Sequence, residues 1–105
     1  MSALALLQKM PAAFNPEAAG ATQCTIQFNA SSPAYIDIKD GACTYNAGTA
    51  ATPDLSVTMA DDDLVAMMTG ELNGMTAFMT GKLQLDGDLM LAQRMSGFFD
   101  PAKLA

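Results

Sequence analysis

Three consecutive carboxylates, Asp61-Asp62-Asp63, form the densest group of reactive side chains in the sequence. Paired acids can ligate a hard cation or move protons in general acid–base work. These three stand directly before an apolar run at helical spacing, and the helix macrodipole favours acids in a first turn. No further ligand follows at a spacing that would complete a metal site, so the run reads as helix capping. Asp86-Gly87-Asp88 reads similarly, as a turn and an N-cap, because a calcium loop spreads its ligands over about twelve residues. The two thiols are Cys24 and Cys43. A hairpin about Asp40-Gly41 opposes Cys43 to Ile38, and a turn over 31–33 opposes Ile38 to Ile26. A strand then separates the sulfurs, too far for a disulfide, and both read as buried structural thiols. Histidine is absent. Neither a Ser–His nor a Cys–His nucleophile can be built, and no imidazole can hold a metal. The inventory offers no catalytic residue, no metal ligand and no cofactor site.

The elements that would position these groups belong to a single domain, residues 1–105. Hydrophobic residues make up 50% and charged residues 15%, which excludes disorder as the default state. Five basic residues against eleven acidic ones give a net charge of −6. Such a surface repels phosphate backbones, so no nucleic acid is expected as partner. The same field repels anionic bilayers. Residues 18–36 carry no charge, yet Thr22, Gln23, Gln27, Asn29, Ser31 and Ser32 exclude a membrane span. Met1 to Gln8 is short, lacks a basic start and shows no export cleavage site, and the terminal Lys-Leu-Ala is not a peroxisomal address. A cytoplasmic location is expected.

Leu4, Leu7 and Met10 predict a helix over Ala3–Met10, with Ser2 as N-cap and Pro11 as punctuation. Asn15-Pro16 predicts a second short turn of helix ending at Gly20. Period two follows. Cys24, Ile26 and Phe28 alternate with Gln23, Thr25, Gln27 and Asn29, and Ile36 and Ile38 alternate with Tyr35, Asp37 and Lys39. Asp40-Gly41 returns the chain through Cys43 and Tyr45. A fourth strand spans Leu55–Met59, and a fifth, Lys82–Asp86, turns Leu83 and Leu85 inward. Helices are predicted from Asp61 to Gly70, from Asn73 to Gly81, and from an Asp88 cap to about Phe99. Each strand has one apolar face, so the fold class is α+β: a five-stranded, mostly antiparallel sheet with helices covering one face.

Nine methionines and five phenylalanines are present without a tryptophan, and six of the methionines fall between Met67 and Met95. Methionine fills gaps in ordinary cores, and it also suits adaptable apolar surfaces. The last helix gathers Leu89, Met90, Leu91, Ala92 and Met95 into an apolar sector wider than a surface helix needs. It is either sandwiched by other chain or walls a cavity.

Gly70-Glu71-Leu72-Asn73-Gly74-Met75-Thr76-Ala77-Phe78-Met79-Thr80-Gly81-Lys82-Leu83, flanked by Asp61-Asp62-Asp63-Leu64 and Asp86-Gly87-Asp88, resembles the sterol carrier protein 2 family. Met10-Pro11-Ala12-Ala13-Phe14-Asn15-Pro16 and Ile38-Lys39-Asp40-Gly41 resemble its bacterial stand-alone members. The resemblance implies an apolar tunnel between sheet and helices that holds fatty acid, acyl-CoA, sterol or phospholipid. It implies non-enzymatic binding and intracellular transfer of long-chain lipid, with transient membrane contact. The alternative it offers is a scaffold that presents a hydrophobic intermediate, such as an isoprenoid quinone precursor, to partner enzymes. Residues expected to line the tunnel are Phe28, Met67, Met75, Phe78, Met79, Leu83, Leu85, Leu91, Met95, Phe98 and Phe99. Two positions depart from the family pattern: Gly74 stands where proline is common, and Asp86 where a basic residue is common. Asp86 and the net charge weaken the implied binding of anionic head groups.

Overall fold

The computed structural model describes residues 3–104, and of Ser96, Pro101 and Ala102 the backbone alone. The Ser2 cap lies outside the described residues. In chain order the elements are α1 (Ala3–Ala13), α2 (Pro16–Ala19), β1 (Cys24–Asn29), β2 (Ala34–Lys39), β3 (Ala42–Ala47), β4 (Leu55–Thr58), α3 (Asp61–Met68), α4 (Gly74–Met79), β5 (Gln84–Gly87), α5 (Leu89–Phe98) and α6 (Pro101–Leu104). The α+β class holds, with five strands in the order β3-β2-β1-β4-β5. β1 and β4 run parallel, and the other neighbours are antiparallel.

Alternation sets the two faces of the sheet. Ile26, Phe28, Ile36, Ile38, Leu55 and Val57 are all buried on the helix side. α1 packs there against β3, α3 and α6, while α5 packs against α2, β4 and β5. Asp40 and Gly41 both take positive φ, 53° and 74°, the backbone that a tight two-residue hairpin requires.

Three expectations are corrected. Pro11 does not end α1, which runs on to Ala13. Burial of Ala3, Leu6, Leu7, Met10 and Ala13 offsets the cost of a proline inside the helix. Cys24, not Ile26, pairs with Ile38, which also faces Cys43. The slip is two residues, so every side chain keeps its face. The thiols therefore flank Ile38, roughly 10 Å apart at two strand spacings, and both are free. Asp61, Asp62 and Asp63 do fill the first turn of α3, where the macrodipole favours acids, but none of them caps it: the N-cap position is Ala60, with no side-chain cap bond. The Asp61 carboxylate instead accepts the Ser31 N–H at 2.9 Å and the Ser31 hydroxyl, fastening the β1–β2 turn to the start of α3. These bonds hold the Asp61 carboxyl below the usual carboxylate range.

Two features are additional to the sequence reading. Gln27, read as solvent-facing, is 2% exposed because the crossover 48–54 runs over it. Its amide donates to the Gly48 carbonyl at 3.2 Å and accepts the Ala50 N–H at 2.7 Å. α6 follows the last predicted helix and packs on α1, with Leu104 buried.

Candidate functional site

Residues 67–99 build a cavity of about 940 Å³, large for a small-molecule site. Its walls come from α3, the 70–73 turn, α4, β5 and α5. Local chemistry explains why these short elements form at all. Asn73 Oδ1 accepts the N–H groups of Met75 and Thr76 at 2.8 and 3.4 Å, starting α4. Asp88 Oδ1 accepts those of Met90 and Leu91 at 3.0 and 3.1 Å, starting α5. The end of α5 is tied back to the start of the fold. Phe99 bridges Phe14, their ring centroids are 5.8 Å apart, and the Asn15 N–H donates to the Phe98 carbonyl at 2.6 Å.

The cavity has an apolar interior and a mixed rim. Met68, Leu83, Met95 and Phe99 are buried on its wall, with Met67 and Leu85 partly so. At the rim Met75, Phe78 and Leu89 remain 71%, 51% and 52% exposed. Among the described residues the polar side chains on the wall are Glu71, Asn73 and Gln93, all exposed. Such a lining can bury an alkyl chain and hydrogen-bond a polar head, and among the described residues it presents no thiol or hydroxyl nucleophile.

Of the side chains expected to line a tunnel, the structure brings together Met67, Met75, Phe78, Leu83, Leu85, Met95 and Phe99. Phe28, Leu91 and Phe98 lie in the core and off this wall. Met79, the last residue of α4, is 78% exposed and also off it. Met68, Leu72, Leu89, Ala92 and the three polar residues are lining positions that sequence reasoning missed. Leu89, Ala92 and Gln93 stand three and four apart, a helical spacing that could have revealed them.

A second, smaller hollow of about 310 Å³ lies beside Thr25, Asp37 and Asp54. Its carboxylates are committed internally. Asp37 accepts from the Thr25 hydroxyl at 2.7 Å and the Asn46 amide at 3.3 Å, and Asp54 accepts the Thr25 N–H at 2.7 Å. Burial pushes the neighbouring Cys24 thiol up to about 11, leaving it protonated at neutral pH.

The sequence profile of the SCP-2 sterol transfer family matches residues 5–100. Sterol carrier protein 2 of Bos taurus is 40% identical over 60 residues, 57% of this chain and 11% of the bovine protein. The chain thus spans a small part of the curated relatives it matches. Among solved structures, palmitated SCP2L2 from Aedes aegypti superposes with a TM-score of 0.74 at 25% identity, covering 92% of this chain and 93% of that one. The fold is shared by the ubiquinone synthesis protein UbiJ-SCP2, with a TM-score of 0.65, 15% identity, and 96% and 84% of the two chains covered.

Proposed function

The chain belongs to the SCP-2 sterol transfer family, and on that premise we propose that it binds and transfers long-chain lipid by burial, without chemistry. The supporting observation is the 940 Å³ cavity, with methionine, leucine and phenylalanine inside and polar side chains confined to its rim. Burying a C16 tail at ~0.8 kcal/mol per methylene is worth on the order of 12 kcal/mol gross. Association and ordering costs remove much of that, so micromolar affinity is expected. Fatty acid, acyl-CoA, sterol-like lipid and phospholipid are the candidate cargoes. Among the described residues no helix is long and apolar enough to cross a membrane. Membrane contact in this reading is transient, and the two free thiols suit a reducing cytoplasm. Organic extraction of the purified protein followed by mass spectrometry tests the reading. A lipid-free preparation that also ignores fluorescent lipids of every head-group charge would overturn it.

A second reading makes the domain a scaffold presenting a hydrophobic intermediate to partner enzymes. It is favoured by Met79 and Met90, which are 78% and 73% exposed and lie outside the cavity wall. Affinity capture from a cell extract separates the two, since a free carrier returns without stoichiometric protein partners.

A further inference from the structure

Among the described residues, the buried end of the cavity is apolar and its polar side chains stand at the exposed end, so a bound chain lies inward with its head at the rim. Glu71 is the one charged side chain lining the cavity among the described residues. Features that commonly receive an anion are engaged elsewhere. The first free N–H groups of α4 are held by Asn73, and those of α5 by the Asp88 carboxylate. Arg94, on α5, donates to the Thr22 hydroxyl at 2.8 Å and lies 5.5 Å over the Phe98 ring, and it does not line the cavity. Lys82 precedes the lining residue Leu83 but is exposed and off the wall.

From this arrangement we propose that the cavity selects long-chain lipids with an uncharged hydroxyl head over those with a carboxylate or phosphate head. A hydroxyl donates to the Glu71 carboxylate and can accept from the Asn73 amide NH2, whose partner oxygen is occupied by the α4 cap. An anionic head meets like charge at Glu71 and, among the described residues, finds no cation on the wall to offset it. The proposal rests on the carrier reading and narrows its cargo.

Displacement of a fluorescent long-chain alcohol at pH 8 tests it, with tetradecan-1-ol and tetradecanoate as competitors below their aggregation thresholds. The alcohol is expected to compete roughly five- to tenfold more strongly, the scale of one like-charge contact about 4 Å apart and fully screened by water, as suits the exposed Glu71. E71Q should shrink that ratio at least about threefold through the tetradecanoate arm, and E71K should reverse it. Glu71 is exposed, so both variants should keep the wild-type thermal midpoint. Equal or tighter tetradecanoate binding by the wild type, or a ratio unmoved by E71Q, would overturn the head-group proposal alone. If neither the probe nor either competitor binds, the carrier reading falls, and this proposal with it.

Discussion

Gly87 packs so closely against the Asp54 carbonyl oxygen that any Cβ added there would have to displace backbone. Its φ of +108° is a second obstacle, since that backbone is strained for any residue with a Cβ. The closeness joins three elements. Asp54 accepts the Asp88 N–H at 2.9 Å through the same carbonyl, donates its own N–H to Thr25 at 2.8 Å, and accepts the Thr25 N–H through its carboxylate. The turn from β5 into α5 is thereby pinned to the centre of the sheet. Gly87→Ala is expected to destabilise the fold by about 2 kcal/mol or more, through clash and conformation together. Urea unfolding followed by circular dichroism measures this, and a midpoint equal to wild type would contradict it.

Gly74 presents the opposite case. It is the first residue of α4, and the Asn73 cap uses the N–H groups of Met75 and Thr76, not its own. Asn73 has φ −73° and ψ 127°, the extended backbone that a following proline demands. A Cβ at Gly74 would meet Met67 Sδ at an ordinary 3.6 Å. Gly74→Pro should therefore stabilise the domain by about 0.5–1 kcal/mol, chiefly by restricting the unfolded chain. A lowered thermal midpoint would refute it.

Met95 is 5% exposed on the cavity wall. Met95→Asp places an unpaired carboxylate against apolar surface, costing about 3 kcal/mol or forcing its protonation. Lipid binding should be lost while the strand signal in circular dichroism persists, because the inward strand residues pack with α1 as well as with α5. Phe78→Ser, at a half-exposed rim position, should weaken binding with little change in stability. Unchanged lipid affinity in both variants would remove these helices from the site.

The thiols make stability fall at high pH. Burial raises Cys24 to about 11 and Cys43 to about 12, from 9.0 when unfolded. Below pH 9 both states keep the protons, and the thiols' contribution is fully present. Between pH 9 and about 11–12 the unfolded chain sheds protons that the folded one retains, so stability declines as pH rises. Denaturant midpoints between pH 8 and 10.5 should show the decline, and a double Cys→Ala variant should show less of it. Alkylation at pH 7.5 should be slow until the protein is unfolded.

Transfer between vesicles should depend on salt in a particular direction. The net charge of −6 repels anionic bilayers, and salt shortens the reach of that repulsion to ~10 Å at 0.1 M. Transfer of a fluorescent lipid from anionic vesicles should rise modestly with salt, and from neutral vesicles it should barely change. Fastest transfer at low salt from anionic vesicles would show docking through basic side chains instead.

What was legible in the sequence is what depends on near neighbours. Asn15, Asn73 and Asp88 cap helices through N–H groups two or three residues ahead, so their roles follow from local order. The strands follow from period two, and a register slip of two residues left every face correct. Asp61 was legible as a first-turn acid, but not its bonds to Ser31, which lies thirty residues away. Gln27 looks like an ordinary outward residue until the 48–54 crossover lies over it, and α1 passes Pro11 only because tertiary burial holds it. The cavity was legible as an apolar excess between Met67 and Phe99, but not its polar rim. Glu71, Asn73 and Gln93 have no periodic signature that separates a rim from an ordinary solvent face.

The Gln27 clamp on the crossover has a consequence for how the molecule can vary. Every described lining residue of the cavity falls within one contiguous third of the chain, after that crossover has closed. The three-strand meander, α1 and the clamped crossover are encoded wholly upstream. A lineage could thus exchange its cargo by editing a single stretch of sequence, while the platform beneath stays under separate selection.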